Sequence, residues 1–166
     1  ILKHLLHLCE FFALLAGIIK FKSIKKSYWK WFVFYLAYIF IYEIISNIVK
    51  EQFKFKIFTF LTYIQIPIEY IFLFWLFAVK SLKNKVLFWS LSLMFLVSHV
   101  INNYLKLTDY TFNSLSITVG NLFLLILVVL EFLNQIKSDS ILNFKTNKMF
   151  YINIGVILFY IGTMPF

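Results

Sequence analysis

The chain has 166 residues, of which 62% are hydrophobic, 22% aromatic and only 14% charged. A soluble domain carries about 25% charged residues, so this composition excludes an ordinary water-soluble protein. All sixteen basic residues are lysines, and the formal net charge is +9. These lysines occupy short gaps between apolar blocks, which argues against nucleic-acid binding and favours contact with lipid headgroups.

The apolar residues form six blocks, each bounded by gaps that contain lysine. Most blocks approach the length of about 20 residues that an α-helix needs to cross a bilayer. Because lipid offers no partner for backbone amides, such blocks can cross only as helices. We predict an all-α fold, a polytopic transmembrane bundle forming a single domain over residues 1–166. The predicted spans are 5–19, 31–49, 57–79, 86–105, 115–133 and 149–166.

Lysine asymmetry predicts the topology of these spans. The gaps after the first, third and fifth blocks hold eleven lysines, and the opposite side holds five. Positive residues favour the cytoplasmic side, so the N-terminus is expected outside. The four tryptophans lie near the same predicted cytoplasmic ends. The lysine-only, Phe-, Ile- and Asn-rich composition suits a low-GC bacterium, and we expect the chain to lie in the cytoplasmic membrane of such a cell. Since the chain begins at Ile1 and is still apolar at Phe166, further sequence is expected beyond both ends.

Polar side chains within the blocks predict a ligand or ion pocket. Glu10, Glu43, His99 and Asn121 each lie about six residues, or roughly 9 Å, from the outer end of their block. Gln65 is slightly deeper. Glu69 and Asn102 share a helix face with Gln65 and His99, respectively. The candidate pocket residues are therefore Glu10, Glu43, Gln65, Glu69, His99, Asn102 and Asn121.

Two interpretations of this layer remain open. Ionisable groups inside a membrane usually mark a functional site, whereas Asn and Gln often only hold helices together. Three carboxylates at similar depth cannot all stay ionised without a partner, so one should be protonated or share a cation. Glu131, close to the end of its block, is expected to reach the membrane interface instead.

Catalytic and metal chemistry find little support in the sequence. His4, His7 and Glu10 have helical spacing, but a zinc site needs further ligands and a held water. We favour interfacial histidines, and predict neither a metal nor a cofactor. Cys9 is the single cysteine, which excludes an internal disulfide and a multi-cysteine site. Asp109 and Asp139 fall in gaps on opposite sides of the membrane, so no Ser-His-Asp set can be assembled.

Short motifs resemble two membrane families. The stretch 67–74 resembles the Pro-x-Glu-Glu motif of small membrane lycopene cyclases, although Tyr70 replaces the second glutamate. Ile68-Glu69-Tyr70, Thr111-Phe112-Asn113-Ser114 and the closing 155–162 segment resemble a family of uncharacterised six- or seven-span membrane proteins of Bacteroidota. This second resemblance spans most of the chain. It implies a membrane protein with no soluble domain and no known activity.

Three functions follow as hypotheses. The first is a non-enzymatic sensor or accessory component in which occupancy of an outward pocket shifts helix packing. The second is a small ion- or proton-coupled transporter or channel, with Glu69 as a relay. The third is an intramembrane enzyme acting on lipid or isoprenoid. The expected partners are membrane lipids and either a signalling protein or a second copy of the chain.

Overall fold

A computed structural model describes residues 2–24, 27–52, 55–104, 114–138 and 144–161. Within these ranges the chain is helical, with no strand. The helices are α1 (Leu2–Ile19), α2 (Phe21–Ile24), α3 (Trp29–Gln52), α4 (Phe55–Phe74), α5 (Lys85–Tyr104), α6 (Ser114–Lys137) and α7 (Lys148–Val156). Two helices continue as π-helical turns, α4 through Trp75–Ser81 and α7 through Ile157–Ile161.

Four helices in the described ranges are long and apolar enough to cross a membrane: Trp29–Ile48, Tyr63–Ser81, Lys85–Asn102 and Leu115–Lys137. They correspond to the second to fifth predicted blocks, and they suggest a membrane protein. The apolar helix Lys148–Tyr160 is shorter. The last residues of the predicted closing span, 162–166, lie outside the described ranges.

The chain divides into two compact units, residues 1–62 and 63–166. In the first unit α1 packs on α3. Phe11 contacts Phe40, with 5.9 Å between the ring centroids. Gly17 lies against Val33, where an added Cβ would come within 3.2 Å of Val33 Cγ2. The glycine therefore permits the close helix approach that small residues allow in membrane proteins.

The second unit packs α5 and α6 together and places α6 against α7 and both π-helical turns. Its core consists of large apolar side chains with almost no exposure, among them Phe74, Leu76, Phe77, Phe95, Leu124 and Leu127. The path from α4 to α5 is a tight turn. Lys83 adopts a left-handed conformation there, with φ of 56°, and Asn84 Oδ1 accepts a hydrogen bond from the Leu87 amide at 3.0 Å.

The surface of α5 has the polarity expected in lipid. Its buried stripe contains the polar residues Ser92, His99 and Asn102. Its outer face is apolar and highly exposed, for example 79% at Val86 and 69% at Trp89. In water a continuous apolar face of this kind would be a liability, whereas in a bilayer it is the expected outer surface.

Candidate functional site

Tyr70 lies at the centre of the second unit and joins three helices. Its hydroxyl donates to Asn121 Oδ1 at 2.6 Å and also approaches the backbone carbonyl of Ile117 at 3.3 Å. The ring packs on Phe95, with 5.1 Å between centroids, and against the backbone of Gly120. A buried tyrosine usually finds a partner for its hydroxyl, and here α6 supplies one through Asn121.

Glu69, the neighbour of Tyr70 on α4, is held by the end of α7. The Tyr160 hydroxyl donates to Glu69 Oε1. The rings of Tyr160 and Tyr70 lie 5.8 Å apart between centroids. One carboxylate, two phenols and one carboxamide therefore meet inside the bundle. We call Glu69, Tyr70, Asn121 and Tyr160 the central cluster.

His99 forms a second polar contact between α5 and α6. Its Nδ1 lies 3.1 Å from Ser116 Oγ, and its ring stacks on Tyr63 at 4.3 Å between centroids. Pro67 has no backbone N–H, so the carbonyl four residues earlier, that of Tyr63, loses its helical donor. In the structure α4 continues through Pro67, and the Tyr63 carbonyl lies beside the His99 imidazole.

The remaining predicted pocket residues of this unit are also buried. Gln65 and Asn102 are 7% and 5% exposed, respectively. Gln65 Oε1 makes no hydrogen bond to any described residue. The second unit therefore takes Gln65, His99, Asn102 and Asn121 into its interior, and leaves Glu69 half-buried.

Two predicted residues belong to the first unit. Glu43 is half-buried on α3. Glu10 lies on α1, and its side chain is outside the described part of the structure. The convergence of these carboxylates with His99 and Asn121 stays a prediction.

A narrow cleft separates α6 from α7 beside the central cluster. Its lining is Asn121, Leu124, Leu125, Val128, Val156, Ile157 and Tyr160. The cavity volume in this cleft is about 10 Å³, close to the minimum that holds a single water. Asn121 is 2% exposed, and its Nδ2 has no acceptor among the described residues. A buried amide donor without an acceptor costs about 1–3 kcal/mol, so this group is available to a ligand.

The expectation that Glu131 reaches the membrane interface is wrong. The side chain is 2% exposed, and Oε1 accepts a hydrogen bond from Gln135 Nε2 at 2.9 Å. By helical spacing Glu131 shares a face of α6 with Leu124, seven residues earlier, which lines the cleft towards α7. Asn153 on α7 is fully buried. Along a membrane helix, protein-facing positions recur every three to four residues. The distance of a residue from the end of the span therefore does not show whether it faces lipid or protein.

The sequence also left Tyr70, Tyr160 and Ser116 out of the predicted pocket. A tyrosine deep in a span signals a buried hydrogen bond, because its hydroxyl requires a partner there. That signal applies to both tyrosines. Ser116 gives no comparable signal, since serine often bonds to its own helix backbone.

The side chains of the central cluster can bind a ligand. Glu69 offers a carboxylate, Asn121 Nδ2 a hydrogen-bond donor, and Tyr160 an aromatic ring at the cleft. Within the described residues no group of three His, Cys, Asp or Glu side chains could hold a metal ion. Comparison of the chain with protein-family models, curated proteins and solved structures finds no match.

Proposed function

We propose that this chain is a membrane-embedded sensor or accessory component that binds a small polar cation at the central cluster. The observation that carries the proposal is Asn121, a buried side chain that lines the cleft beside Tyr160 and whose Nδ2, having no acceptor among the described residues, can donate to a hydroxyl of the cationic ligand. Glu69 adds the charge that a cation requires. The ring of Tyr160, which lines the cleft, adds a face that attracts ammonium groups.

The size of the cleft supports sensing as the mode of action. The open space suits about one water molecule. A larger ligand must therefore move α7 away from α6, and binding energy is converted into a change of helix packing. A ligand shifts such an equilibrium only by its differential affinity for the two states.

The proposed setting extends the four apolar helices to six spans in a bacterial cytoplasmic membrane, with the N-terminus outside. Membership of the Bacteroidota membrane family belongs to the same proposal. Lysine asymmetry and the short motifs support it. A signalling protein or a second copy of the chain would receive the change in packing.

The test is ligand-dependent unfolding of the purified protein in detergent. Ethanolamine carries an ammonium and a hydroxyl, and ethylene glycol has a similar size without the charge. We expect ethanolamine, at about ten times its dissociation constant, to raise the unfolding midpoint by roughly 3–6 °C. Ethylene glycol should leave the midpoint unchanged, because it cannot pair with Glu69.

Two variants control this measurement. Glu69→Gln keeps the shape and hydrogen bonding of the side chain, and should abolish the response to ethanolamine. Glu131→Gln makes the same chemical change away from the central cluster, and should keep the response. Equal responses in both variants, or no response in the unmodified protein, would contradict binding at the central cluster.

Transport is the second candidate, and one observation favours it. A further set of buried polar residues, Glu131, Gln135 and Asn153, lies along the same α6–α7 interface. Between the two sets α6 presents Leu124, Leu127 and Val128, so this part of the path is apolar. Cation flux into proteoliposomes that stops with Glu69→Gln would favour transport over sensing.

A further inference from the structure

The interface between α6 and α7 contains a second polar group. Glu131 and Gln135 are one turn apart on α6, and Asn153 is on α7. Their exposures are 2%, 2% and 0%. Gln135 Nε2 donates to Glu131 Oε1, which fixes the carboxylate and leaves its second oxygen for another partner. We call these three residues the α6–α7 cluster.

The packing register places Asn153 within about one helical turn of Glu131 along the helix axes. Val128 and Val156 line one cleft, and the rings of Phe132 and Phe150 meet at 6.1 Å between centroids. Residue numbers rise along α6 as they fall along α7, so the helices are antiparallel. Asn153 precedes Val156 by three residues and Glu131 follows Val128 by three. Both side chains therefore lie within about one turn of each other along the helix axes.

The side chains of this cluster have unused hydrogen-bonding atoms. Glu131 Oε2 makes no hydrogen bond to any described residue, and neither do Asn153 Oδ1 and Nδ2. A direct bond from Asn153 Nδ2 to Glu131 Oε2 would have satisfied both groups, and it is not formed. Polar atoms this deeply buried normally have a partner. Carboxylate and amide oxygens are the ligands that hard cations prefer, and here one of each has no hydrogen-bond partner among the described residues.

We infer that the α6–α7 cluster binds an alkali-metal cation, Na⁺ or K⁺, between the two helices. The charge selects a monovalent ion, because one carboxylate neutralises it completely. A divalent ion would leave a net positive charge in a low-dielectric interior, which is costly. Glu131 Oε2 and Asn153 Oδ1 are the proposed ligands, and Gln135 is a positioning residue. This inference does not depend on ligand binding at the central cluster.

The test is the cation dependence of unfolding in the purified protein, with N-methyl-D-glucamine replacing Na⁺ or K⁺ at constant ionic strength. The replacement cation is far larger than either alkali ion. We expect one alkali chloride, at about ten times its dissociation constant, to raise the unfolding midpoint by roughly 3–6 °C. Glu131→Gln and Asn153→Leu should each abolish this rise. Glu69→Gln, in the central cluster, should retain it.

Direct binding of ²²Na⁺, with K⁺ as competitor, covers the case in which a variant fails to fold. The unmodified protein should bind about one ion per chain, and Asn153→Leu should bind none. An unfolding midpoint that changes with neither cation would overturn the inference. Water or a proton would then be the occupant. A rise that persists in both Glu131→Gln and Asn153→Leu would overturn it too, because it would be a general salt effect.

Discussion

The contact between Gly120 and Tyr70 shows how one atom determines packing at the central cluster. A Cβ at position 120 would lie 2.6 Å from Tyr70 Cε1, well inside van der Waals contact. The Tyr70 ring is 3% exposed and packs against Phe95 and Tyr160. It therefore has little freedom to move. Glycine is required at this position because the Tyr70 ring packs directly on the α6 backbone.

Gly120→Ala should destabilise the protein by about 1–3 kcal/mol, because an overpacked core must shift side chains or backbone. Gly155→Ala is the matched control, since a Cβ there meets nothing within 4 Å. Alanine favours helix over glycine by up to about 1 kcal/mol, so this control should be neutral or stabilising. Thermal unfolding in detergent measures both. Equal effects would show that Gly120 is not a close-contact position.

The bond between Tyr70 and Asn121 makes a second prediction at this scale. Tyr70→Phe removes the hydroxyl and leaves Asn121 Oδ1 without its donor, so we expect a loss of about 1–2 kcal/mol. In an Asn121→Leu background the same substitution should cost much less. A double-mutant cycle with a coupling energy of about 1 kcal/mol is expected, and additive effects would contradict the contact.

At the scale of the element, the turn between α4 and α5 is defined by its hydrogen bonds. The Asn84 amide donates to the Ala78 carbonyl at 2.8 Å, and the Leu82 amide to the Phe77 carbonyl at 2.9 Å. These bonds end the π-helical turn and bring Lys83 into the left-handed region. Glycine usually occupies such a position, because a Cβ is unfavourable there.

Lys83→Gly should therefore stabilise the protein by roughly 0.5–1 kcal/mol, despite the added freedom of the unfolded chain. Lys85→Gly makes the same chemical change in the first turn of α5, where glycine is unfavourable, and should destabilise it. Comparing the unfolding midpoints of the two variants checks the prediction. Destabilisation by both would contradict a left-handed Lys83.

The sequence predicted elements well and helix faces poorly. Four of its blocks correspond to long apolar helices, because length and hydropathy along the chain are sufficient to find them. Gln65, His99, Asn102 and Asn121 were expected inside protein and are buried. Glu131 was assigned to the membrane interface, and Tyr160 was left out of the predicted pocket, because the blocks are apolar on most sides. The hydrophobic periodicity therefore does not show which face of a helix is directed into the protein. The π-helical turns at Trp75 and Ile157 also change the faces assigned to the residues that follow them.

At the scale of the whole molecule, the structure provides two well-placed sites for testing topology. Lys83 precedes α5, and Tyr104 is its last residue, with 86% of its surface exposed. A helix of 20 residues is about 30 Å long, the thickness of a bilayer core. The two positions are therefore expected on opposite sides of the membrane.

In a Cys9→Ala background, Tyr104→Cys should react with an impermeant thiol reagent on intact cells, and Lys83→Cys should react only after lysis. The expectation follows from the lysine asymmetry, which assigns the Lys83 side to the cytoplasm. The reverse pattern would invert the topology, and equal labelling of both positions on intact cells would argue against α5 as a span.

One helix carries residues of both proposed binding sites, with Asn121 and Glu131 ten residues, or about 15 Å, apart on α6. Thermodynamic linkage therefore relates the ligand affinities of the two sites. If an alkali cation at Glu131 changes the affinity of the central cluster by some factor, a ligand at the central cluster must change the cation affinity by the same factor. The alkali-cation concentration on the side from which the Glu131 site fills would then set the sensitivity of the sensor, and occupancy at each site would report on the other.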